Sequence, residues 1–105
     1  MKALLNIPEQ AARGDILQVK VLIRHPMETG FRSNRDGKIV PRDIIHEVRC
    51  TYGGAEVFGA SFFPAVSANP FLSFYLRAEQ TGEVTIRWID EGGTEYSDAR
   101  MLTVT

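Results

Sequence analysis

From Ile16 to Ile23 the chain alternates: Leu17, Val19, Val21 and Ile23 fall on one face, while Gln18, Lys20 and Arg24 fall mainly on the other. A period of two suits only an extended strand with one face on a core and one in water. The same pattern returns with Leu72, Phe74, Leu76 and Ala78, and most cleanly with Val84, Ile86 and Trp88 set against Thr85 and Arg87. In Ile44 to Tyr52, Ile44, Val48, Cys50 and Tyr52 share a face opposite Glu47, Arg49 and Thr51. Between these runs stand Gly53-Gly54, both of which can take the positive φ of a type I′ hairpin turn, the turns Thr81-Gly82 and Gly92-Gly93, and Pro8 and Pro64, which cannot donate to a ladder. Strands are therefore expected at Ala3 to Ile7, Ile16 to Ile23, Ile44 to Tyr52, Ala55 to Phe63, Phe71 to Ala78, Glu83 to Asp90 and Thr94 to Thr105. Glu9 to Asp15 reads as a turn, with room for one helical turn near Glu9 to Arg13, and Ala65 to Pro70 as a crossing between sheets. Short strands at this spacing predict an all-β fold, an immunoglobulin-like antiparallel β-sandwich of about seven strands.

At 105 residues the chain is expected to be a single domain, spanning 1–105, that buries its own core without metal or disulfide. A formal net charge of -1 argues against a phosphate-tracking surface, so no nucleic acid is expected as a partner. The single cysteine can form no internal disulfide. No apolar run is long enough to span a membrane, and the start at Met1-Lys2-Ala3-Leu4-Leu5 is cut short by Asn6, Pro8 and Glu9, so no signal peptide is expected.

One stretch reads as a site. His25-Pro26-Met27-Glu28-Thr29-Gly30-Phe31-Arg32 ends a strand and opens the polar connection Ser33 to Lys38. Pro26 and Gly30 force a loop, and that loop is expected to display Met27 and Phe31 beside Arg24, Arg32 and Arg35. Met, aromatic and arginine residues are the types enriched where proteins meet, although Met27, Phe31 and Arg32 could instead fold back and cap the sandwich. Asn69-Pro70-Phe71 is the second candidate patch. There the residue before proline is expected to be extended and the Asn69 amide to close a local turn.

Catalytic chemistry finds little support. Cys50 lies on an apolar face, as a buried small hydrophobe would. His46 shares that face, but four strand residues at about 3.3 Å each put it roughly 13 Å away, too far to activate a thiol. Asp90 and Glu91 flank a glycine turn, where acidic residues serve turn chemistry, and Trp88 reads as a core aromatic. For a soft metal, His25 and Met27 are the only close pair of suitable ligands. No catalytic residue, metal or cofactor is expected.

Four segments in order, His25 to Arg32, Gly37-Lys38-Ile39-Val40-Pro41-Arg42, Pro64-Ala65-Val66-Ser67-Ala68-Asn69-Pro70-Phe71 and Gly82 to Trp88, resemble the SoxZ family of thiosulfate oxidation over nearly the whole chain. The resemblance implies an immunoglobulin-like sandwich without a catalytic centre, paired as a heterodimer with SoxY, whose C-terminal Gly-Gly-Cys-Gly-Gly arm carries sulfur intermediates. It also implies transient contact with other Sox enzymes and a periplasmic location reached by co-export with SoxY. The sequence ends Met101-Leu102-Thr103-Val104-Thr105, without a glycine-flanked cysteine. His25, Met27, Phe31, Arg32, Asn69 and Phe71 are then the expected partner-contact residues. The alternative is a free-standing module that binds a small ligand or soft metal at His25, Met27 and Phe31.

Overall fold

Two sheets pack face to face in the computed structural model, which describes residues 3–63, 66 and 68–105. One sheet has three strands, β1 (Ala3–Asn6), β3 (Ile16–Ile23) and β6 (Phe71–Arg77), in the order β1-β3-β6. The other has five, β2 (Gln10–Ala11), β4 (Ile45–Tyr52), β5 (Ala55–Ser61), β7 (Gly82–Asp90) and β8 (Glu95–Val104), in the order β2-β8-β7-β4-β5. No described residue is helical. The sandwich is therefore the expected all-β, immunoglobulin-like one, and the connection from β5 to β6 does cross between sheets. The stop expected at Pro64 lies outside the described residues, as do Ala65 and Ser67 of that connection.

The eighth strand corrects the reading of Glu9 to Asp15. Gln10–Ala11 pairs in parallel with Thr103 and Val104, bound by the Thr103 amide to the Glu9 carbonyl and the Thr105 amide to the Ala11 carbonyl, both at 3.0 Å. Its partner lies at the far end of the sequence, so no local pattern announces it and no helical turn forms there. A second departure lies at the start of β4. Strict alternation back from Val48 would turn Ile45 outward, yet Ile44 and Ile45 are both buried. A register shift against β7 between Ile45 and Glu47 inserts the extra residue that makes this possible.

Alternation elsewhere converts directly into burial. Val19, Val21 and Ile23 of β3 face Val48 and Cys50 of β4 and Val84, Ile86 and Trp88 of β7 in one core. Each fully buried Val or Ile contributes about 1.5–3 kcal/mol by leaving water. Phe58 on β5 and Phe74 on β6 stack across the two sheets at 4.5 Å between centroids and 7° between planes, closing that side. At the opposite edge of β4, the half-buried Tyr52 hydroxyl accepts from the Glu79 and Gln80 amides and donates to the Gln80 carbonyl, pinning the β6–β7 turn.

The molecule is longer than a sandwich of this size needs to be. Its radius of gyration is 16.1 Å and its extents are 58 × 21 × 19 Å, against about 13 Å for a compact chain of this length. Residues 28–43, between β3 and β4, extend from the core as a two-legged finger. Replacing Ile86 with Ala should lower unfolding stability in urea by about 2–5 kcal/mol, because a fully buried side chain is truncated at the sheet interface.

Candidate partner-binding surface

The finger is built from its own backbone. Glu28 and Asp43 exchange amide-to-carbonyl bonds of 2.8 and 2.9 Å at the root, and the Val40 amide donates to the Arg32 carbonyl at 2.8 Å farther out. At the tip Asn34 accepts the Asp36 and Lys38 amides on Oδ1 at 3.0 and 3.1 Å, so Ser33 to Lys38 is a side-chain-closed turn. Gly30, at φ +89, lies where an added Cβ would come within 3.1 Å of the Arg42 Cβ, so glycine is what lets the two legs approach. The Arg32 guanidinium grips Glu28 with both ends, Nε to Oε2 at 3.1 Å and Nη2 to Oε1 at 2.8 Å. That hydrogen bonding holds the Glu28 carboxyl below its ordinary range.

Two clasps hold the finger to the sandwich. In the first, the His25 amide donates to Asn69 Oδ1 at 3.0 Å and the Asn69 amide donates to the His25 carbonyl at 2.7 Å. Asn69 thus closes a bridge across the chain and not the local turn expected of it. Nor is it extended before Pro70, since its φ is +51. Asparagine tolerates this left-handed region better than most residues, which explains the residue type. In the second clasp, Arg42 Nε donates to Glu91 Oε1 at 2.8 Å and His46 Nε2 contacts Glu91 Oε2 at 3.1 Å. Arg42 first, then His46, hold the Glu91 carboxyl below its ordinary range. The sign follows: this pairing supports the fold above the ordinary carboxylate pKa and is lost only as the pH falls through the lowered one. Asp90 does the turn work expected of the pair, accepting the Gly92 and Thr94 amides at 3.0 Å.

Met27 overturns the expectation of display. It is 4% exposed, its φ is +52, and its sulfur accepts the Ile45 amide at 3.3 Å, so it is the root plug of the finger. The capping alternative holds for this residue. His25 Nδ1 accepts the Met27 amide at 3.0 Å, which leaves Nε2 to face Asp43 at 3.4 Å. The Met27 sulfur and His25 Nδ1 thus each accept a backbone amide. No group of three or more His, Cys, Asp or Glu side chains that could hold a metal ion occurs among the described residues.

Phe31 does the opposite and is 84% exposed. Ile39 on the other leg, Phe63 beyond β5, Phe71 at the start of β6 and Leu4 on β1 are exposed as well. Topology gathers them. The register places Leu4 beside Leu22 and Leu22 beside Phe71 on the outer face of the three-stranded sheet. That row lies at the end of β3 from which the finger departs, and the Phe62 amide bonds the His46 carbonyl at 2.7 Å, which sets Phe63 at the same end. Leu4, Phe63 and Phe71 thus lie at the end of the sandwich from which the finger bearing Phe31, Arg32 and Ile39 departs, an arrangement suited to being covered. Display of Phe31 was expected from the loop residues; the exposure of Leu4, Ile39 and Phe63 has no local signal in the sequence.

Cys50 has no such access. It is fully buried, its sulfur reaches only the Thr51 carbonyl at 3.9 Å, and burial pushes the thiol up to about 11. It should therefore resist iodoacetamide at mildly alkaline pH in the folded protein and react once urea unfolds the chain. Asn69→Ala should cost about 1–3 kcal/mol through a lost clasp and a strained φ. Asn69→Gly, which accepts that φ, should cost less while still speeding exchange of the His25 amide.

Comparison with known proteins follows from this geometry. The model of the family described as sulphur oxidation protein SoxZ matches residues 5–100. No curated protein matches the chain as a relative. Among solved structures it is similar to the sulfur carrier protein SoxY from Chlorobium limicola f thiosulfatophilum, at TM-score 0.72 and 18% identity over 100% of this chain and 80% of that one. It is also similar to a superoxide reductase (neelaredoxin) from Ignicoccus hospitalis, at TM-score 0.74 and 15% identity over 100% and 81%. A variant of the enzyme from Archaeoglobus fulgidus gives TM-score 0.67 and 15% identity over 97% and 87%. At these identities the likeness is one of fold.

Proposed function

Because the chain belongs to the SoxZ family of sulphur oxidation proteins, we propose that it is the non-catalytic subunit of a SoxYZ sulfur-carrier complex, pairing with SoxY as a heterodimer. The family match over residues 5–100 carries this reading. Two features of the chain support it. Its one thiol is sealed in the core and held protonated, unsuited to carrying sulfur, so the carrier chemistry falls to a partner. Its finger and the end of the sandwich that bears it carry exposed apolar side chains, Phe31, Ile39, Leu4, Phe63 and Phe71, as a docking face does.

In this proposal Phe31, Arg32 and Phe71 touch SoxY, and His25, Asn69 and the buried Met27 hold the finger that presents them. Other Sox enzymes reach the complex transiently. The complex works in the periplasm, which this chain enters with SoxY.

Mixed with SoxY, the chain should co-elute as a heterodimer; separate elution at micromolar concentration would count against the proposal. Phe31→Ala should weaken the pair by about 2 kcal/mol, roughly thirty-fold in Kd, if the ring fills a pocket on SoxY. An unchanged Kd would remove Phe31 from the interface. Fractionation of cells expressing both chains should find this one in the periplasm, and retention in the cytoplasm would contradict co-export.

A further inference from the structure

Four strands lie at sheet margins: β1 and β6 in one sheet, β2 and β5 in the other. An open margin presents unpaired amides and carbonyls to any passing strand, and proteins ordinarily blunt it. Three of these four are blunted. β1 has four residues and β2 has two. The register of β5 is broken opposite Cys50 and Thr51, where Val57 is the extra residue. Among the described residues β6 carries no such device. Its seven residues run in unbroken register along β3, with no proline, glycine or lysine from Phe71 to Arg77.

The direction of each backbone group follows from two flanking hydrogen bonds. The Ile23 amide donates to the Pro70 carbonyl at 2.9 Å, and the Ala78 amide donates to the Asp15 carbonyl at 2.8 Å. Both fit the β3–β6 register, so residues 72, 74 and 76 turn their backbone groups toward β3. Those of Phe71, Ser73, Tyr75 and Arg77 therefore face outward. Phe71 and Tyr75 are also 60% and 67% exposed as residues.

We propose that a second copy of this chain pairs at this margin, β6 against β6, antiparallel about Phe74. In that register Phe71 faces Arg77 of the second copy and Ser73 faces its Tyr75, so every outward residue meets an outward residue. Roughly eight backbone hydrogen bonds form, two for each such pair. The two three-stranded sheets become one of six strands. The contact is isologous and closes on itself, so it yields a dimer and not a fibre.

The charge pattern of β6 is self-compatible in this register. Arg77 is the one charged residue of β6. The symmetric register sets each Arg77 across from a Phe71 ring, a cation–π arrangement, and places the two guanidiniums at opposite ends of the ribbon. No like charges oppose each other across the pair. A slip of one residue would bring outward groups against inward ones and abolish the ladder.

The pairing concerns the chain by itself and does not rest on the function proposed above. Tyr75→Pro deletes an outward amide that the β3–β6 ladder does not use, and proline is tolerated on an edge. Sedimentation of the purified chain over a range of concentrations should show a monomer–dimer equilibrium. The Tyr75→Pro protein should be at least about ten-fold weaker in association with its circular dichroism unchanged. A wild-type chain that stays monomeric to near-millimolar concentration, or a folded Tyr75→Pro protein that dimerises as well as wild type, would overturn the proposal. Should that variant fail to fold, exchange of the Ser73 and Tyr75 amides in the wild type decides: slowing with rising concentration supports the pairing, and no change refutes it.

Discussion

A chain that leaves one sheet at Ile23 and enters the other at Ile45 must satisfy its backbone where it departs, or the core opens at that end. Here that requirement is met by the reciprocal bonds between His25 and Asn69 and by Met27, whose sulfur caps the first amide of β4. Two residues other than glycine, Met27 and Asn69, hold positive φ to make this closure. Such conformations persist only where surrounding contacts over-determine them, and they occur at the two points where the finger and the β5–β6 connection meet. The position of Phe31 relative to Phe71 depends on this root, because Asn69 stands two residues before Phe71 and His25 six before Phe31.

The sandwich itself was legible because period two is unambiguous when one face is buried. Leu17, Val19, Val21 and Ile23, and Val84, Ile86 and Trp88, are buried as their alternation requires. Cys50 likewise lies in the core. What escaped reading was non-local. The pairing of Gln10–Ala11 with β8 joins opposite ends of the sequence. The bulge that buries Ile45 breaks the very period used to place it. Met27 and Phe31 look alike as loop residues, yet one is a plug and the other is exposed, and only the path of the finger separates them. Asn69 appears local because Pro70 follows it, while its partner is 44 positions away.

The chemistry of the site is that of support. Its titratable groups are spent on holding the finger: Glu28 on Arg32, Glu91 on Arg42 and His46, and His25 on the Met27 amide. Fold likeness to a sulfur carrier protein and to superoxide reductases shows how widely this sandwich serves. Within that shared frame, this member of the SoxZ family carries an extended finger beside an end of the sandwich with exposed apolar side chains.

In the proposed complex SoxY covers the finger end. Hydrogen exchange of the chain alone and with SoxY tests it most directly. Addition of SoxY should slow exchange over residues 28–43 and leave the turns at Gly53-Gly54 and Thr81-Gly82 at the far end unchanged. Protection confined to those distal turns, with the finger exchanging as before, would contradict it.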